Sequence, residues 1–265
     1  MGQRTQYEVT GEGIGIVTLS EPPANTYSYE MMKEIDASVL EARMDDRVHA
    51  LVLTGAGEKF FCAGADIKML ASAAPSFKYY FCLHANETLC RLEQTPKLVV
   101  AALNGHCVGG GLEVAMAADL RFARKGAGKI GLPEVSLGVL PGTGGTQRLA
   151  RLLGKARAFE LMASGRLLSF EEGHTLGLVN EVVEAPDSSV FMELVLRRVR
   201  QYLPPGRASR AVGAIKRAVQ TGAEVALGEG LALERELQQQ LFLSEDAREG
   251  IAAHLEKRPP AFKGR

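Results

Sequence analysis

The 265-residue sequence has no tryptophan, only 6% aromatic residues, four cysteines and no net charge, its 31 Lys+Arg balancing 31 Asp+Glu. Each shortage excludes a class of protein. Cys62, Cys82, Cys90 and Cys107 form no CxxC pair and have no partnered histidine spacing, so they read as buried free thiols and not as a zinc site, redox pair or disulfide framework. Charge balance argues against nucleic acid as the main partner, since that binding depends on Lys and Arg neutralising phosphates. The longest stretch free of Asp, Glu, Lys and Arg, Leu98 to Leu112, spans 15 residues and carries Asn104, His106 and four glycines. A membrane span needs roughly 20 apolar residues, so none is expected. The opening MGQRTQYEVTGEG has neither an apolar signal core nor the composition of a transit peptide, and a cytoplasmic location is the expectation.

What is present is ordinary globular composition: 46% hydrophobic residues, 29 Gly and 11 Pro. Short β-branched runs at Gly13–Leu19, His49–Leu53, Leu98–Ala102, Asp119–Phe122 and Leu178–Val183 alternate with helical periodicity, which predicts an α/β fold. Helices are expected from Ser28 to Met44, with Met32, Ile35, Val39 and Ala42 inward, and from Pro75 to Glu93, with Phe77, Phe81, Leu89 and Leu92 inward. Ser169 and Glu172 form an S-x-x-E capping box. Beyond Pro186 the pattern is wholly helical: Asp187–Leu203, Arg207–Gln220, Ala223–Phe242 with a stripe of Leu227, Leu231, Leu237 and Leu241, and Glu245–Lys257. The chain therefore divides into an α/β core, residues 1–185, and a helical region, residues 186–265. The spacing of the core signals suits a repeated ββα unit.

Gly126–Gly131 matches G-x-G-x-x-G, but Leu132-Pro133 follows where a dinucleotide site needs a helix, so the match carries no function. No P-loop and no G-x-S-x-G elbow occurs. Gly109-Gly110-Gly111 stands between a strand run and the helical Leu112–Ala118. Three glycines in a row cost about 2–3 kcal/mol of backbone entropy relative to alanine, so something requires them. Either two backbones pack closely there, or a ligand reaches exposed N–H groups. Ala63, Gly64 and Ala65, in FFCAGADIK, repeat the character after the His49–Leu53 strand. Two N–H donors from separate strand-to-helix turns are the construction of an oxyanion hole. Glu113, set among apolar neighbours, and Glu134, following Pro133, supply carboxylates able to move protons beside a carbonyl held there.

In these segments the sequence resembles the enoyl-CoA hydratase/isomerase family, the crotonase superfamily. The matching stretches are GAGEKFFCAGADIKML from Gly55, ALNGHCVGGGLEVAMAADLRFA from Ala102, GLPEVSLGVLPGTGGTQRLARLLG from Gly131 and the C-terminal EDAREGIAAHLEKRPPAFKG. The resemblance implies a spiral of ββα units followed by helices that make trimer contacts, giving a homotrimer or homohexamer. It implies an acyl-CoA thioester substrate, with coenzyme A entering as part of that substrate and no metal or redox cofactor. It places the oxyanion-hole amides at Ala65 and Gly110, the catalytic carboxylates at Glu113 and Glu134, and substrate contacts at Gly64, Asp66, Ile67, Lys68, Gly109 and Lys263. Hydration of trans-2-enoyl-CoA to 3-hydroxyacyl-CoA is the activity implied, because both glutamates are present. Two carboxylates at one water should not ionise equally, so one should titrate high. A Δ3,Δ2-enoyl-CoA isomerase, which shuttles one proton with a single carboxylate, and a non-enzymatic or RNA-binding member of the same fold remain alternatives. The segment EPPANTYSYEMM departs from the family's NRP-x-x-x-N-A-L pattern, so the resemblance does not define the contacts made there.

Overall fold

The computed structural model describes residues 4–265. Strands β1 (Thr5–Val9) and β2 (Ile14–Leu19) form an antiparallel pair, helix α1 (Tyr29–Met44) crosses over, and β3 (Ala50–Gly55) returns parallel to β2. The chain then repeats one plan. After β3 come the short β4 (Phe60–Cys62) and helices α2 (Ile67–Ser72) and α3 (Pro75–Gln94). Strand β5 (Leu98–Leu103) is followed by β6 (His106–Val108) and α4 (Gly110–Met116). Strand β7 (Leu120–Arg124) leads to β8 (Lys129–Gly131), a 3-10 turn at Glu134–Leu137, α5 (Gly145–Leu153) and α6 (Lys155–Ser164). The core closes with β9 (Leu168–Ser169), α7 (Phe170–Thr175) and β10 (Glu181–Val183). The first strand of each turn joins a six-stranded sheet ordered β1-β2-β3-β5-β7-β10, and the second joins a four-stranded sheet ordered β4-β6-β8-β9. This is a ββα spiral.

Both faces of the large sheet are covered, which is why its strands read as continuous apolar runs. Val17, Leu19, Leu51, Leu53, Val99 and Ala101 face one side, against Met32, Ile35 and Val39 of α1. Their alternates, Ile16, Val52, Val100 and Ala102, pack against Phe191, Val195 and Val199 of α8 (Ser188–Arg200) on the other. Full burial of each such side chain contributes about 1.5–3 kcal/mol. Helices α9 (Ser209–Gly222), α10 (Leu227–Phe242) and α11 (Glu245–Glu256) complete the chain. The buried Lys216 of α9 ties this region to the core by pairing with Asp119 at 3.0 Å and donating to the Lys97 carbonyl at 3.1 Å.

Several sequence expectations differ in detail. The two-residue to three-residue strands of the small sheet were beyond the reach of periodicity, as was β1. The expected strand Leu178–Val183 begins at Glu181, because the Leu178 carbonyl accepts from the Arg121 guanidinium and Asn180 bonds the Arg121 backbone in both directions. Phe77 lies on the first, overhanging turn of α3 and is 38% exposed. Of the α10 stripe only Leu237 is buried, with Leu227 77% exposed. Gly126–Gly131 forms a turn and β8, with no helix after it.

Asn104, buried after β5, locks two turns of the spiral together. Its amide donates to the carbonyls of Gly55 (2.9 Å) and Gly57 (2.8 Å), and its Oδ1 accepts from the Gly55 N–H (3.1 Å). Asn104→Ala strands these buried backbone groups, and we expect a loss of about 2–4 kcal/mol in unfolding free energy by urea titration. A change within 0.5 kcal/mol would show, against that expectation, that the clamp is not needed.

Candidate active site

The two small-residue turns meet. Gly64, after β4, has φ +87°, and Gly109, after β6, has φ +59°, a region favouring glycine in each case. A Cβ placed on Gly64 would lie 3.0 Å from the Gly110 nitrogen, so the turns are in contact. Tyr27 pins the first of them: its N–H donates to the Gly64 carbonyl at 2.9 Å and its carbonyl accepts from the Asp66 N–H at 3.0 Å. Among the described residues no protein group accepts from the N–H of Ala65 or of Gly110. Gly110 opens α4, where an N–H has no intrahelical acceptor.

Each glycine of the triplet has its own reason. Gly109 needs its positive φ. A side chain on Gly110 would collide with the Tyr27 hydroxyl, and one on Gly111 with the Cys62 carbonyl. Close backbone packing and an N–H without a protein acceptor, that of Gly110, thus occur together in this buried segment. The same packing that demands glycine brings the two free donors together.

The glutamates sit beside these donors in contrasting surroundings. Glu113, on α4, is 2% exposed. Its Oε1 accepts from the N–H groups of Thr143 (2.8 Å) and Gly145 (2.7 Å), and its Oε2 accepts from the Thr143 hydroxyl. Burial raises its pKa, opposed by these three bonds and by Arg148. Glu134, at the start of the 3-10 turn, is half-buried with Oε1 3.2 Å from where a Gly109 Cβ would stand. Its buried Oε2 has no partner. Burial first, and the Glu113 charge second, push its pKa from 4.5 up to about 7. Burial thus raises both acids, and for Glu134 it is a larger cause than the neighbouring charge.

The other predicted residues divide. Gly64 and Gly109 form the turns described. Asp66 caps α2, its Oδ1 accepting from the N–H groups of Lys68 (2.8 Å) and Met69 (3.3 Å), while Ile67 and Lys68 are exposed on the first turn of that helix. Lys263 is not brought to this site. Its N–H donates to Asp246 of α11, and the following Gly264 packs on His49 and Ser209. His49 precedes β3, whereas Ala65 lies beyond the other end of that strand and past β4, so about 20 Å of strand separates them.

Sequence reasoning missed Tyr27, Thr143, Gly145 and Arg148. The last three lie inside the quoted stretch PGTGGTQRLARLLG, whose glycines and threonine signal a turn able to donate N–H groups. Arg148 of α5 steadies that turn, pairing with Glu93 at 2.9 Å and reaching the Thr143 carbonyl at 3.4 Å. Tyr27 carries no such signal, as one of two tyrosines in the run NTYSY.

No helix among the described residues is long and apolar enough to cross a membrane. Residues 9–265 match the family model for enoyl-CoA hydratase/isomerase. The chain is 37% identical over 254 residues to the short-chain-enoyl-CoA hydratase of Clostridium acetobutylicum, covering 95% of each protein. It is 36% identical over 257 residues to the mitochondrial methylglutaconyl-CoA hydratase of Rattus norvegicus, covering 96% of this chain and 81% of that one. Among solved structures, an enoyl-CoA hydratase from Geobacillus kaustophilus HTA426 superimposes with a TM-score of 0.95 at 44% identity, covering 100% of this chain and 98% of the other. An enoyl-CoA hydratase from Bacillus anthracis gives 0.92 at 33% identity, covering 99% and 100%. With its ββα spiral, its paired free amides and these matches along the whole chain, the protein belongs to the enoyl-CoA hydratase/isomerase family.

Proposed function

We propose that the protein hydrates trans-2-enoyl-CoA thioesters to 3-hydroxyacyl-CoA. The observation that carries this reading is the opposite preparation of two adjacent glutamates. Glu113 is supplied with three donors, which favour its carboxylate, and Glu134 has a buried Oε2 with no partner, which favours its acid. The thioester oxygen would accept from the N–H groups of Ala65 and Gly110, which stabilise the enolate-like charge as it develops; one such donor is worth about 2.7–4 kcal/mol. Glu113 takes a proton from water as the water oxygen bonds to the β-carbon. The carbon–carbon π electrons move toward the carbonyl, and the α-carbon takes the Glu134 proton. Proton exchange with solvent then restores both acids. Each acid–base group contributes about 10²–10⁴-fold, comparable with one oxyanion donor, so neither device suffices alone. An isomerase needs only one carboxylate, and the complementary pair favours hydration.

Gly64 and Gly109 of the two turns, with Ile67 and Lys68 exposed at the start of α2, are the proposed contacts for the thioester and its CoA moiety. We propose a homotrimer or homohexamer. The support is unpartnered apolar surface: Phe159, Leu227, Phe242, Leu243, Ile251 and Leu255 are each more than half exposed.

Two measurements test these readings. With crotonyl-CoA, followed by loss of the conjugated thioester absorbance, Glu113→Gln should lower hydration at least about 10²-fold. Wild-type kcat/KM should fall as pH rises through about 7, where Glu134 loses its proton. Hydration at the wild-type rate in Glu113→Gln, or rapid Δ3,Δ2 isomerisation without hydration, would refute the assignment. Light scattering should give three or six times the 28.5 kDa chain mass, and a monomer would refute the assembly.

A further inference from the structure

Tyr27 comes from the segment that departs from the family pattern, yet it meets both small-residue turns and Thr143. It is 2% exposed, and its backbone holds Gly64 and Asp66 on either side of Ala65. Its ring tip fills the space left by the absent Gly110 side chain. Its Oη lies 3.1 Å from Thr143 Oγ1, which in turn bonds Glu113 Oε2. No other protein partner of Oη occurs among the described residues.

Proton counting fixes the direction of each bond. A carboxylate only accepts, so the Thr143 hydroxyl proton goes to Glu113. Thr143 Oγ1 is then left as an acceptor, and Tyr27 must donate to it. With Glu113 ionised, every donor in the row is used. If Glu113 takes a proton on Oε2 and turns it to Thr143, the threonine must donate to Tyr27, and the phenol proton has no acceptor in a buried place. Leaving a buried donor unpaired is unfavourable, so the row favours the ionised end state.

We propose that Tyr27 and Thr143 form a one-way hydrogen-bond relay that orients Glu113 and favours its carboxylate, making Tyr27 a positioning residue for the hydration step. This rests on Glu113 being the base that activates water. Other groups face the relay: Arg148 of α5 acts on Glu113, the Glu113 charge acts on Glu134 of the 3-10 turn, and Cys82 of α3 and Cys62 of β4 lie close to Tyr27 and stay protonated through burial. Tyr27 itself keeps its proton, held by burial and by the Glu113 charge, as a donor must.

The test is the acid limb of kcat/KM for crotonyl-CoA hydration in the full-length enzyme, where Glu113 becomes protonated and inactive. Tyr27→Phe keeps the ring against Gly110 and removes only the hydroxyl. It should move that limb to higher pH by about 0.5–1 unit, the effect of one hydrogen bond, and lower kcat near the limb with KM little changed. Thr143→Val should move it the same way, and Thr143→Ser should leave the limb where wild type has it. A carbon-13 NMR titration of the Glu113 carboxyl in Tyr27→Phe should show the same displacement without reference to turnover. An unmoved limb and an unmoved NMR titration in Tyr27→Phe, with Glu113→Gln inactive, would overturn the relay alone. Wild-type hydration in Glu113→Gln would overturn the assignment of the base itself.

Discussion

A carboxylate shut away from water is the constraint around which this structure is arranged. Glu113 sits in a helix whose residues are all buried, between Leu112 and Val114, where an unpaired charge would be expensive. The turn at Thr143–Gly145 answers that cost with two N–H groups and a hydroxyl. The turn is in turn steadied by Arg148 and by Tyr27. Take away those donors and Glu113 would hold its proton, or α4, which begins at Gly110, would have to move.

The spiral explains how such a group comes to lie beside two free N–H donors. Each turn of chain places a long strand in one sheet and a short strand in the other, so successive strand ends stack at the same edge. The turns after β4 and β6 therefore touch, and glycine is needed because backbone, and not side chains, meets there. Helix α4 then carries Glu113 one turn beyond Gly109, while β8 delivers Glu134 to the other side of the same glycine. Three repeats of one local plan assemble four groups from three separate stretches of sequence. The pair of acids is made unlike by its surroundings: three donors around Glu113, and an Oε2 buried without a partner on Glu134.

Much of this is legible in the residues. The strands of the large sheet announce themselves because both faces are covered, and the cap at Ser169 forms with its reciprocal bond to Glu172. The glycine triplet, the small residues at Ala63–Ala65 and the two glutamates mark where backbone and carboxylates converge. The small sheet is not legible, because a three-residue strand such as β4 has no period to detect. Tyr27 is hidden for a different reason: its role arises from contacts with Gly110 and Thr143, far along the chain. Lys263 is a motif residue whose backbone the fold of this chain ties to Asp246 of α11, with Gly264 beside His49 at the other end of β3. Of the α10 leucines read as a core stripe, Leu237 is buried but Leu227 and Leu231 are exposed, since amphipathic periodicity does not say whether the apolar face meets its own chain or another.

The central claim is that the amides of Ala65 and Gly110 jointly polarise a thioester carbonyl. Isotope-edited infrared spectroscopy of crotonyl-CoA labelled with carbon-13 at the thioester carbonyl, bound to the turnover-blocked Glu113→Gln/Glu134→Gln double variant, measures this directly. The account predicts a carbonyl stretch shifted to lower frequency than in water, as two main-chain donors draw charge onto oxygen. A bound substrate whose carbonyl stretch matches that in water, or lies above it, would contradict it.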